Sequence, residues 1–215
     1  SVAGAGELGG VINLASNDDE HMPRFEENPE KIKNIKKAQF KSFANNYLKK
    51  IQPFQQNSES FVVNKLPGNF LWLGVFSLLF PKAKIIHTIR NPLDSILSMY
   101  FLDFSGFHPY AYDLDDLVFW YKEYERLMEH WKKVLPNPIH DIHYEILIDK
   151  QEEKSKSLIK FLDLDWEDKV LSYYQQNRNI NTASYWQVRQ PIYRSSINYW
   201  KNYEKFLNKI IKQFP

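Results

Sequence analysis

Apolar residues recur along this chain in two rhythms. Short β-branched runs at Phe61–Asn64, Lys84–Ile89 and Ile139–His143 predict strands. Between them the spacing lengthens to three and four residues. Pro29–Ile51 carries Ile32, Ile35, Phe43, Tyr47 and Ile51 at helical intervals, and Asn69–Phe80 is a short apolar helix after the Pro67-Gly68 break. Further helices are predicted from Asn91, over Asp113–Val134, and near Glu152–Leu162, Asp165–Gln175 and Ser195–Gln213. Strands alternating with helices imply an α/β fold, a mostly parallel sheet flanked by helices. Ligands of such sheets gather beyond the carboxyl ends of the strands. Lys65, Arg90 and Tyr144 each follow a predicted strand, so these three segments are expected to aim at one edge.

The segment Lys84–Leu102, KIIHTIRNPLDSILSMYFL, carries the strongest local chemistry. Asn91 is the expected N-cap of a helix with Pro92 at N1 and Asp94 at N3, which leaves Arg90 at the strand-to-helix junction. At about 100° per residue Asn91, Ser95 and Ser98 share one face, and Leu93, Ile96, Leu97, Tyr100 and Phe104 gather on the other. A guanidinium, two hydroxyls and unpaired N–H groups at a positive helix end suit a phosphate. On geometry alone, the same residues serve equally as plain solvated structure.

Composition narrows the function classes. The 215 residues suit a single domain with a sizeable core. A net charge of +2, from 28 basic and 26 acidic residues, gives no global field for nucleic acid or an anionic membrane. The lysines of Pro29–Ile51 read as the solvated face of an amphipathic helix. There is no Cys and the six His show no ligand-like pairing, so no metal site is expected. No apolar run approaches the roughly 18 residues that span a bilayer, and the opening residues show no secretory signal pattern. The lack of Cys permits a reducing cytoplasm, the location expected. The aromatic loop Phe104–Tyr112, with Phe107, His108, Tyr110 and Tyr112, reads as an acceptor-lining cluster or as ordinary packing.

The phrase Arg90-Asn91-Pro92-Leu93-Asp94-Ser95-Ile96-Leu97-Ser98 resembles the 3′-phosphate-binding motif of sulfotransferases, which transfer a sulfuryl group from 3′-phosphoadenosine-5′-phosphosulfate (PAPS). Four more segments extend the resemblance in the family's order. Gly4-Ala5-Gly6-Glu7-Leu8, a Gly-rich leader by composition, is similar to the segment bearing the catalytic glutamate of protein-tyrosine sulfotransferases. Asn64-Lys65-Leu66-Pro67-Gly68-Asn69-Phe70 resembles the one supplying a lysine. His143-Tyr144-Glu145 is similar to a strand-end Tyr-Glu by the nucleotide, and Thr182 through Trp200 resembles the loop that closes over it. The likeness is nearest to bacterial sulfotransferases that are often fused to tetratricopeptide repeats.

The resemblance implies a P-loop-kinase-like sulfotransferase fold and transfer from PAPS to a hydroxyl, with adenosine 3′,5′-bisphosphate (PAP) leaving. It implies Glu7 and Lys65 as catalytic residues and Arg90, Ser98, Tyr144, Ser184 and Arg189 as nucleotide ligands. His108 of the aromatic loop is the runner-up to Glu7 as base. The acceptor that the resemblance implies is a hydroxyl compound, such as peptide tyrosine or a glycan. The family's Gly-rich phosphosulfate loop, of the type P-R-S-G-T-T, has no counterpart here, so a fold lacking its first strand, loop and helix is expected. Two alternatives follow. One is a truncated or degenerate domain that binds PAP or phosphate without transfer. The other, a P-loop kinase, needs a G-x-x-x-x-G-K-[ST] loop that this sequence does not contain.

Overall fold

The computed structural model describes residues 2–8, 33, 35–55, 61–104, 108–175 and 189–214. The chain divides into two compact units, residues 1–83 with 130–137 and residues 84–129 with 138–215.

In the first unit, strand β1 (Val2–Gly6) pairs in parallel with β2 (Phe61–Asn64). β1 is the one described strand that the sequence pattern does not predict. Its residues Val-Ala-Gly-Ala-Gly have little strand propensity, yet they alternate, burying Ala3 and Ala5 while Val2, Gly4 and Gly6 face out. The register steps from Gly4↔Val63 to Gly6↔Asn64, a bulge completed by Gly6 at φ +68°, a left-handed conformation that glycine adopts at little cost. Helix α1 (Lys37–Ile51) lays Phe40, Phe43 and the buried Tyr47 against Val75 and Leu79 of α2 (Leu73–Leu79). Full burial of a side chain such as Val75 or Leu79 stabilises by about 1.5–3 kcal/mol. Lys36, Lys37, Lys41, Lys49 and Lys50 stand in solvent. The helix predicted over Asn69–Phe80 begins as a 3-10 turn, Pro67–Trp72, before widening into α2. Within α2 a methyl group on Gly74 would stand 2.8 Å from the Trp131 ring, whose Nε1–H donates to the Phe70 carbonyl at 2.8 Å.

In the second unit, β3 (Ile85–Ile89) pairs in parallel with β4 (Ile139–His143), in unbroken register from Ile85↔Ile139 to Ile89↔His143. Helix α3 (Pro92–Tyr100) follows β3. It is succeeded by α4 (Leu114–Val134), whose residues to Glu129 belong to this unit. After β4 come α5 (Tyr144–Asp149), α6 (Gln151–Phe161) and finally α7 (Glu204–Ile211). Leu93 and Ile96 of α3, Leu117, Val118 and Tyr121 of α4, and Leu207 and Ile210 of α7 form the core.

Two predicted helices are reshaped here. Residues 168–175 form a 3-10 helix kinked at Ser172. The stretch predicted as one helix from Ser195 is a turn ending in a left-handed Asn198, then a 3-10 segment, Tyr199–Tyr203, and only then α7. The described strands thus hydrogen-bond as two parallel pairs flanked by helices. No described helix is long and apolar enough to cross a membrane. No group of three or more His, Asp or Glu among the described residues is placed to hold a metal.

Candidate functional site

Glu7, Lys65, Arg90 and Tyr144 hold one and the same topological position, the first residue past the carboxyl end of β1, β2, β3 and β4. Parallel pairing then sets each beside a neighbour. In the first unit the backbone N–H of Lys65 donates to the Gly6 carbonyl at 3.0 Å, continuing the ladder past β2, and the Lys65 ammonium meets the Glu7 carboxylate in an ion pair. The Lys65 side chain is 56% exposed and that of Glu7 32%. Such a wet pair contributes little to stability, and both charges remain open to an incoming group.

In the second unit, Arg90 and Tyr144 stand together at the ends of β3 and β4, the guanidinium carbon 5.4 Å from the ring centroid. The Arg90 carbonyl accepts from Tyr121 Oη at 2.9 Å, and Arg90 Nη2 donates to the Ser196 carbonyl at 2.8 Å. Ser196 Oγ and Tyr144 Oη lie 3.0 Å apart. Arg90 Nε is buried and meets no acceptor among the described residues. A buried donor left in this state costs about 1–3 kcal/mol, which an anionic oxygen would recover. The donor set of guanidinium and two hydroxyls therefore fits a phosphate.

The end of α3 does not contribute as its capping sequence suggests. Asn91 caps it, its Oδ1 accepting the N–H groups of Leu93 at 3.0 Å and Asp94 at 3.1 Å, while Pro92 has none to give. The N–H of Asn91 donates to Glu145 Oε1 at 2.8 Å. The expected free amides are spent on the protein's own oxygens, and Glu145 already supplies negative charge at this positive end. Glu145 also lines a cavity of about 400 Å³ with Arg90, Asp94, Glu125 and His143. Burial and the neighbouring Glu129 hold the Glu125 carboxyl above the usual carboxylate range. The Glu125 and Glu145 carboxyls on its wall disfavour a phosphate in this cavity.

Of the remaining candidates, Ser98 is exposed on α3 and Arg189 is partly buried. Ser184 and Phe107 lie outside the described residues. His108 belongs to an aromatic group, 5.1 Å from the Phe104 ring and within 3.3 Å of Tyr110 Oη, and Tyr110 stacks on Trp120 at 4.5 Å. One polar cluster has no linear signature. His87 on β3 joins Asp141 on β4 at 2.8 Å and Tyr124 on α4 at 2.5 Å, the register of the parallel pair bringing the first two side by side. Burial, with Glu125 and Asp141 nearby, pushes the Tyr124 hydroxyl up to about 12.

Parallel strands flanked by helices, with charged residues just past their carboxyl ends, form the arrangement in which α/β proteins hold their ligands. A family model described as "Sulfotransferase family" matches residues 11–168, and the chain belongs to that family. An uncharacterized protein of Aquifex aeolicus (strain VF5) is 38% identical over 187 residues, covering 86% of this chain and 24% of that protein. Protein-tyrosine sulfotransferase 1 of Danio rerio is 30% identical over 120 residues, 53% of this chain and 32% of its own length. A putative protein-tyrosine sulfotransferase of Caenorhabditis briggsae is 26% identical over 144 residues, 64% and 51% of the two chains. The chain thus spans between a quarter and about half of these relatives' length. A solved sulfotransferase domain from the curacin biosynthetic pathway is similar with a TM-score of 0.49 and 16% identity, covering 87% of this chain and 79% of that one.

Proposed function

We propose that this chain carries the nucleotide and reaction centre of a sulfotransferase that uses PAPS and acts on a hydroxyl acceptor. PAPS supplies an activated sulfuryl group, which passes to the hydroxyl oxygen as PAP leaves. Family membership supports the transfer class. The observation that carries the assignment of the donor is Arg90, with a buried Nε that meets no acceptor among the described residues and the hydroxyls of Tyr144 and Ser196 nearby.

In this reading Arg90 binds the 3′-phosphate from its Tyr144 side, Ser98 adds a hydroxyl, and Tyr144, Ser184 and Arg189 complete the nucleotide site. Glu7 accepts the proton of the attacking hydroxyl through the carboxylate oxygen that Lys65 does not hold. Lys65, with donors to spare, steadies the negative charge that gathers on the transferring and leaving oxygens. The residues mainly position the reactants and spread charge, as in phosphoryl transfer. The two protein-tyrosine sulfotransferases among the relatives favour a tyrosine acceptor over a glycan.

Calorimetric titration with PAP, of the wild-type chain beside Arg90→Ala, tests the proposal. Saturable binding that the variant weakens by about 2–3 kcal/mol, the scale of one charge-assisted contact, is the expected result. No binding by folded wild-type protein would sink it. Binding without PAP release from PAPS and a tyrosine peptide would select a domain that holds nucleotide but does not transfer.

A further inference from the structure

Asp94 is 2% exposed, one of the most deeply buried side chains described, and it caps nothing in its own helix, since Asn91 does that. A carboxylate at that depth is tolerated only when its oxygens are satisfied. Here both are, by backbone N–H groups more than a hundred residues away. Asn198 donates to Oδ2 at 2.7 Å and Trp200 to Oδ1 at 2.9 Å. These are charge-assisted contacts of short length. Asn198 takes the left-handed conformation, φ +57°, in the turn that presents the two amides. The other end of this turn is Ser196, whose carbonyl accepts from Arg90 Nη2 and whose hydroxyl meets Tyr144. One short turn therefore links the Asp94 carboxylate to the Arg90 guanidinium.

We infer that Asp94 is a positioning residue: by anchoring the 196–200 turn it holds the Ser196 carbonyl where it fixes the Arg90 guanidinium against Tyr144, ready for an anion. The inference rests on the reading of Arg90 as a phosphate ligand. A carboxylate four residues after that arginine thus acts on it through a loop from the far end of the chain. It touches no ligand itself. An uncharged isostere cannot replace it, because an amide offers one acceptor and turns its NH2 donors toward the second N–H.

The test combines Asp94→Asn, Arg90→Ala and the double variant, read by amide hydrogen exchange and by PAP titration. In Asp94→Asn the amides of Asn198 and Trp200 should exchange at least about tenfold faster, and PAP should bind roughly tenfold more weakly. In the Arg90→Ala background the same substitution should cost no further affinity, a coupling that a merely structural role would not produce. PAP affinity unchanged in Asp94→Asn, or a loss that adds in full to that of Arg90→Ala, would overturn the inference. Asn198→Ala, which strains the turn while leaving the buried carboxylate in place, decides the matter if Asp94→Asn does not fold. It should show faster exchange at Trp200 together with weaker PAP binding, and faster exchange with unchanged affinity would refute the link. If the wild-type chain fails to bind PAP, the phosphate reading falls and the positioning role with it. Protection of the two amides would then still report the anchor.

Discussion

Glu7 and Lys65 are separated by 58 residues in sequence and joined by one ion pair in space. Family likeness points to each of them, but their meeting depends on a strand of alanines and glycines that propensity does not reveal. Arg90 was legible from its own neighbourhood, since a strand, an arginine and a capped helix are contiguous. Ser196 and Asp94 were not, because their roles arise from contacts across about a hundred residues that no local pattern encodes. The free amides expected at the helix start were misread for a related reason: the cap sequence itself consumes two of them, and Glu145, from another strand end, takes a third. The pairing of Glu7 with Lys65 yields a sharp expectation. On the proposed mechanism Glu7→Gln removes the proton acceptor and leaves Arg90 untouched. PAP binding should stay within about twofold of wild type. PAP release from PAPS and an acceptor should fall by roughly 10²- to 10⁴-fold. Loss of binding in parallel with loss of release would contradict the division of labour between the two residues.

Helices and strands were read most faithfully where burial and periodicity agree. The predicted strands at 61–64 and 139–143 coincide with β2 and β4, and the long helix from 113 differs from α4 by a single residue at its start. Prediction failed where a distant group overrides local preference. The helix expected from Ser195 is broken at the left-handed Asn198, and Asp94 captures the N–H of Trp200, which a continuous helix would send to the Ser196 carbonyl. α2 shows the same tension from the other direction. Gly74 is a poor helix residue, and alanine there would gain about 1 kcal/mol of propensity. The Trp131 ring stands in the way, held by its bond to the Phe70 carbonyl, and overpacking costs about 1–3 kcal/mol. Gly74→Ala should therefore lower the urea midpoint, and a raised midpoint would mean that the ring retreats freely.

Taken together, the tyrosines give the molecule an alkaline limit. Burial raises the hydroxyls of Tyr47, Tyr121 and Tyr124 above their ordinary value near 10, Tyr124 to about 12, with nearby carboxylates adding to the shift in the last two. An acid whose folded value lies above its unfolded one stabilises the fold fully below the unfolded value and loses that contribution as pH climbs toward the folded value. Stability should therefore hold to about pH 10 and decline between 10 and 12. Phenolate absorbance should rise in two phases, the second coinciding with loss of the near-ultraviolet circular dichroism of the core. A single phase centred near 10, with the fold intact, would refute the burial argument. The strand ends carry a consequence of another kind. The backbone of Lys65 is tied to β1 by a bond that does not involve its side chain, and the bulge at Gly6 sets Glu7 beside it in the same impersonal way. Any residue with a backbone N–H that a mutation writes at position 65, and its neighbour at 7, is displayed on the same frame, so a lineage can change what these two positions do without first having to solve the folding problem again.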